Sequence, residues 1–220
     1  MTAPPAAAVG APGPAPPVVA GNVYPKYETR NPVARLLVSR FLAALAGLVA
    51  RTGAADVHEV GCGEGFLAAV LAAGGRRLRG TDLSPEAVAQ ARDRARAQGL
   101  DAAYRACDLY DLDPGRGDAA GLIVCCEVLE HLPDPARAVD VLARLARPHL
   151  IASVPREPLW RALNVARGRY LCDLGNTPGH LQHWSKPAFL ALLRTRFEVV
   201  EVRSPLPWTM ALCRNPAAGG

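Results

Sequence analysis

The chain predicts an α/β fold, a mostly parallel sheet with helices on both faces. Three observations predict it. Short apolar runs at 56–60, 77–81, 102–107, 119–126 and 149–154 are separated by helix-like segments or loops of the length that parallel crossovers need. Two of those segments open on Ser84-Pro85-Glu86 and Asp134-Pro135, a capping side chain followed by proline in the first helical turn. Half of the 220 residues are apolar and a fifth are charged, which suffices for one sizeable core and excludes a wholly disordered chain.

Residues 3–21 contain only Ala, Pro, Val and Gly, with prolines that break any helix, so 1–22 reads as a disordered tail. It lacks the basic start of a signal peptide. One domain is expected over 23–214. Asn31-Pro32 caps a first helix whose apolar positions (Val33, Leu36, Leu37, Phe41, Leu45, Leu48) recur with helical spacing until Arg51, before Gly53. Arg40 and Arg51 interrupt the longest apolar stretch, so no membrane span is expected. The two crossover helices carry Val88, Ala91 and Ala95, and Val139, Leu142 and Ala146, on their apolar faces. From Pro155 to Trp184 the pattern departs, with Gly168, Gly175, Pro178 and Gly179 and one helix around 157–167. This stretch, about 155–184, reads as an insertion covering substrate at the mouth of the sheet. A helix over Lys186 to Arg196 then leads to strands at 197–203 and 208–214, an antiparallel pair at the sheet edge, and a flexible C-terminus at 215–220.

The formal charge is +5, but only Lys26 and Lys186 are lysines among the 25 basic residues. Arginine, alanine, glycine and proline enrichment together point to GC-rich coding more than to a polyanion partner. The six cysteines form no CxxC pair and read as reduced thiols of a cytoplasmic protein.

The chemistry starts at Glu59-Val60-Gly61-Cys62-Gly63-Glu64-Gly65-Phe66, where glycines let the backbone approach a ligand closely. A dinucleotide fingerprint would need glycine at 66, where Phe66 stands. At the end of the second strand, Asp82 can accept from both hydroxyls of a ribose, and Asp108 after the third strand can receive an exocyclic amine. The three loops share the carboxyl edge of the sheet and suit an adenosine without phosphates. Singly each signal is weak; in this order and spacing they are strong.

From these residues, together with Cys126-Glu127-Val128-Leu129-Glu130-His131-Leu132-Pro133-Asp134 after the fourth strand, the chain resembles the class I S-adenosylmethionine-dependent methyltransferases, over about residues 56–154. The last run is similar to the small-molecule branch typified by ubiquinone-biosynthesis O-methyltransferases. The resemblance implies a Rossmann-like three-layer sandwich whose seven-stranded sheet has an antiparallel last strand. It also implies S-adenosyl-L-methionine as donor, with Gly61, Gly63 and Gly65 lining its methionine part, Asp82 on the ribose and Asp108 on the adenine amine. The full cofactor set is Glu59, Gly61, Cys62, Gly63, Gly65, Asp82, Leu83, Asp108, Leu109 and Cys126.

Methyl transfer from a sulfonium depends on alignment, and a hydroxyl acceptor adds the need for a base. His131, just past the fourth strand, is one candidate; the alternative is that it only hydrogen-bonds its loop or orients Glu127 or Glu130. His180 and His183 on the insertion form a second candidate pair. Glu127 and Glu130 read either as a grip for a cationic acceptor or, from their spacing of three, as solvated helix-entry residues. Arg92, Arg94 and Arg96 read as the solvent side of a crossover helix, and Tyr27 and Arg30 as a lid over the donor's carboxylate. A metal held by His180, His183 and Asp173 would rest on unspecific spacing, and none is expected.

The expected activity is transfer of a methyl group to an oxygen, ahead of nitrogen or carbon, of a small molecule. The alternatives are methylation of RNA or another macromolecule, an NAD-dependent oxidoreductase, and a non-catalytic cofactor-binding partner. The second lacks its third glycine, and neither a Pro-Pro-aromatic motif nor a Pro-Cys nucleophile supports nucleic acid as acceptor.

Overall fold

The computed structural model describes residues 31–160 and 181–219. Seven strands form one sheet: β1 (Asp56–Val60), β2 (Arg77–Asp82), β3 (Ala102–Ala106), β4 (Ala120–Cys126), β5 (Ala146–Pro155), β6 (Glu198–Arg203) and β7 (Trp208–Arg214). Their order is β3-β2-β1-β4-β5-β7-β6. Every neighbouring pair is parallel except those of β7, which runs antiparallel to both β5 and β6. The reversed last strand expected from sequence is therefore present, inserted one place inside the edge.

Alternation along β4 shows how the sheet divides its two cores. Leu122, Val124 and Cys126 join the cluster under α1 (Pro32–Thr52) and α2 (Ala68–Ala72), while Ile123 and Cys125 join the one under α4 (Pro135–Leu145) and α5 (Lys186–Leu193). A smaller cluster beneath α3 (Pro85–Ala97) holds Cys62, Val88, Ala91, Ala95 and Tyr104.

The helix starts follow the chemistry of their caps. Asn31 accepts from Val33 N–H at 2.9 Å, Ser84 Oγ from Ala87 N–H at 3.1 Å, Asp134 from Arg137 N–H at 3.0 Å and Ser185 Oγ from Ala188 N–H at 3.3 Å. Each is followed within two residues by proline. Gly53 closes α1 at φ 62°. The last helix is shorter than expected, stopping at Leu193.

Two expectations are corrected here. Arg40 and Arg51 do not shorten α1, which by length and composition alone is long and apolar enough to cross a membrane, the only such helix among the described residues. Its second half is nevertheless committed to the sheet, where Phe41, Leu45, Leu48 and Val49 are buried. The boundary at 214 also moves outward, because Asn215 is buried and its side-chain amide donates to Ala143 O at 2.7 Å and Ala146 O at 3.2 Å. The tail at 1–22, Tyr27, Arg30 and most of the 155–184 insertion lie outside the described residues.

Candidate active site

The strand order turns back between β1 and β4, so the crevice at the carboxyl ends of these strands is where an open α/β sheet takes its ligand. Residues 61–66 leave β1 there and curl under the end of β2. Gly61 and Cys62 N–H both donate to Thr81 O, at 2.7 and 3.0 Å. Gly63 N–H donates to Asp82 Oδ2 at 2.8 Å, and Gly65 N–H to Cys62 O at 3.0 Å. Four amides of the glycine loop are thus spent on the protein itself. The helix that follows starts only at Ala68, runs five residues and has no side-chain cap. A phosphate cradle needs free amides at a helix N-terminus, and these four are not available to one.

Gly61, Gly63 and Gly65 all have positive φ, 77°, 50° and 74°. Gly61 is required for a second reason: a Cβ there would run into Val128 Cγ2, on the turn after β4. Asp82 holds the loop with one carboxylate oxygen and Ser84 N–H with the other, at 2.9 Å. Each oxygen keeps a further acceptor position. Asp108 caps the short turn after β3 by accepting from Tyr110 N–H through Oδ1 at 2.9 Å. Leu83, beside Asp82, is 44% exposed.

Glu59 lies at the end of β1 and is 2% exposed, and its Oε2 has no hydrogen-bond partner. Burial, and after it the Asp82 carboxylate, push its carboxyl up to about 8. Across β2, Gly80 gives up its side-chain space to the Tyr104 ring, whose hydroxyl is likewise buried without a partner. Side chains of Cys62 and Leu109, both from the sequence-predicted cofactor set, are buried in the packing clusters. Cys126, 8% exposed, ends β4 in the other cluster.

The acceptor side is assembled from distant pieces. Glu127 is the one non-glycine residue at positive φ among the described residues, at 61°. Its backbone N–H donates to Ser153 O at 3.0 Å, and its carboxylate accepts from Trp208 Nε1 at 2.6 Å and from Ser153 Oγ at 3.3 Å. Trp208 is edge-on to Phe41, with centroids 5.1 Å apart, and tilted against Trp160 at 6.0 Å. Neither Glu127 nor Glu130 is a solvated helix-entry residue, which corrects that reading: Glu127 is a strut to β7, and Glu130 is 1% exposed. His131 ends the turn Leu129–His131, with its N–H on Val128 O at 2.9 Å. The returning chain docks on the same turn, since Leu181 and Gln182 N–H both donate to Glu130 O, at 2.8 and 3.0 Å. His183 therefore comes to the corner that holds His131, its Nδ1 3.7 Å from Glu157 Oε1. His180 and Asp173 lie outside the described residues.

The sequence reading missed Arg94, which does not solvate its helix. It donates through Nε to Glu64 O at 3.0 Å and lies over the Phe66 ring, 3.8 Å from its centroid. The available signal was the aromatic residue at the position of a third glycine.

Comparison with known proteins agrees with this geometry. A family model described as a methyltransferase domain matches residues 58–152. A ubiquinone biosynthesis O-methyltransferase of Alkalilimnicola ehrlichii is 34% identical over 188 residues, 78% of this chain and 72% of that one. The enzyme of the same name from Methylococcus capsulatus is 34% identical over 61% of this chain and 62% of its own length. The chain belongs to the class I S-adenosylmethionine-dependent methyltransferases. A crystal structure of magnesium protoporphyrin IX methyltransferase from Synechocystis, with bound S-adenosylhomocysteine, shares the methyltransferase's Rossmann-like fold at a TM-score of 0.65 and 20% identity, covering 85% of this chain and 89% of that one. The enzyme's donor is S-adenosylmethionine. The site fits it: a carboxylate with spare acceptor positions, a buried carboxyl with one unpartnered oxygen and a glycine turn with four amides committed to the protein.

Proposed function

We propose that the methyltransferase moves the methyl group to an oxygen of a small organic molecule, bound beside the turn that follows β4. The observation that carries this reading is the meeting of two loops at Gly61 and Val128, which brings the donor turn against the strand-4 turn bearing His131. In this reading Gly61, Gly63 and Gly65 line the methionine part, with Glu59 beneath. Asp82 takes the ribose hydroxyls, Asp108 the adenine amine through its other oxygen, and Leu83 the face of the base. The names of the relatives at about a third identity support oxygen as the methylated atom.

When bound, the donor supplies a methyl on a sulfonium with a neutral thioether as leaving group. This chain's residues supply alignment and proton removal. The Glu127 strut to Trp208 and Ser153 fixes the turn after β4. His131 takes the proton of the acceptor hydroxyl and returns it to solvent. His183, held beside Glu157, borders the acceptor.

The arginines do not favour a polyanion. Arg92, Arg94, Arg79 and Arg203 donate to backbone carbonyls, and Arg51, Arg105 and Arg196 pair with carboxylates. Five cysteines are free among the described residues, which supports a reducing, cytoplasmic setting.

Methyl-labelled donor incubated with the enzyme and an extract of its source cells tests the reading. Label is expected in a small molecule heavier by one methyl on oxygen. Label confined to RNA or protein overturns it.

A further inference from the structure

The grip of α3 on the glycine loop has no counterpart in the motifs, and it is made by three consecutive loop residues. At Gly65 the helix comes so close that a Cβ would stand 3.0 Å from Ala91 Cβ and 3.1 Å from Ala91 Cα. One turn further along α3, Arg94 reaches back over the loop. Its Nε–H donates to Glu64 O at 3.0 Å while its guanidinium carbon sits 3.8 Å above the Phe66 ring. Arg94 is half-buried, whereas its neighbours Arg92 and Arg96 are exposed.

A guanidinium can make both contacts at once, donating in its plane and stacking through its face. An ammonium has no such face. Asp82 already ties Gly63 from the other side at 2.8 Å, so residues 63–66 are held at both ends before any ligand arrives.

We propose that Arg94, acting with Phe66, is a positioning residue for the methionine part of the donor, fixing the loop that lines it. The proposal rests on the placement of the donor given above. Phe66 thereby gains a role of its own: where a dinucleotide loop has a third glycine for close helix packing, this loop has an aromatic lid-plate held down by α3. The effect belongs to the amino-acid end of the donor, because Arg94 bonds to Glu64 O and covers Phe66 in the loop, while Asp108, the proposed adenine partner, stands past β3 and caps its own turn.

Calorimetric titration with two ligands separates this from general damage to the fold. S-adenosylhomocysteine carries the amino-acid arm; 5′-methylthioadenosine has the adenosyl group and the sulfur but lacks it. Arg94→Ala is expected to weaken S-adenosylhomocysteine about tenfold and 5′-methylthioadenosine less than about twofold. Phe66→Leu is expected to weaken the first ligand about threefold alone and to add less than about twofold in the Arg94→Ala background, since the two residues act together. If Arg94→Ala does not fold, Arg94→Lys, which keeps the charge without the planar face, is expected to show the same selective loss. Parallel loss of both ligands, or S-adenosylhomocysteine affinity unchanged in the variants, overturns the proposal. A wild-type protein that binds neither ligand overturns the donor placement itself.

Discussion

The two halves of the site, proposed above for donor and acceptor, are built by different means. At the donor half, main-chain N–H groups of the glycine loop bond to the end of β2, two to the Thr81 carbonyl and one to the Asp82 carboxylate, which also accepts from Ser84 N–H. At the acceptor half, side chains far apart in sequence meet: Glu127 with Trp208, Glu127 with Ser153, and His183 with Glu157. The first kind of construction needs particular residues at fixed spacings. The second needs only that the fold bring compatible side chains together, so it leaves no local pattern.

The two halves touch at Gly61 and Val128, and breaking that contact has the largest expected effect. Gly61→Ala adds a Cβ at φ 77° that collides with Val128, an expected loss of about 3 kcal/mol or more from the unfavourable φ and overpacking together. Val128→Ala in the same chain should restore part of it, read from urea unfolding. Equal stability of the single and double variants would show that the halves are not coupled there.

Trp208→Phe attacks the acceptor half alone. It keeps a ring against Phe41 and Trp160 but removes the N–H that serves Glu127 Oε2, at an expected cost of about 2 kcal/mol. Affinity for S-adenosylhomocysteine should stay within about twofold while the melting temperature falls; a matching loss of affinity would erase the distinction between the halves.

The last effect is read against pH and belongs to Glu59, whose carboxyl is pushed by burial up to about 8 from an ordinary value of 4.5. A raised pKa contributes stability that is intact below about 4.5 and is lost as pH rises through about 8. Relative to Glu59→Gln without ligand, the wild type should therefore lose melting temperature between about pH 5 and 8 and then level off. Melting curves that stay parallel from pH 5 to 9 would contradict a buried, protonated Glu59.

The same division explains what could be read from the sequence. All seven strands followed from apolar period and three helix starts from Asn31, Ser84 and Asp134, whereas the Ser185 cap emerged only in the structure. Asp82 and Asp108 were singled out by their order and spacing after the glycine run, and they stand at the end of β2 and just past β3. The loop's committed amides were not legible, since a glycine run shows that the backbone can come close to a ligand but not that Thr81 O takes two of its N–H groups. Arg94 was misread because a polar helix face gives no sign that one of its arginines turns inward. Glu127 at positive φ was invisible, because nothing short of the Trp208 contact indicates a strained non-glycine residue there.

We propose that residues 59–108 form a site for an adenosyl group rather than for a dinucleotide. Calorimetric titration of the wild type and Asp82→Ala with S-adenosylhomocysteine and NAD tests it most directly. The account predicts one S-adenosylhomocysteine bound per chain, an affinity lower by about 30-fold or more in Asp82→Ala, and no NAD binding. Undiminished affinity in Asp82→Ala, or NAD binding comparable with S-adenosylhomocysteine, would contradict it.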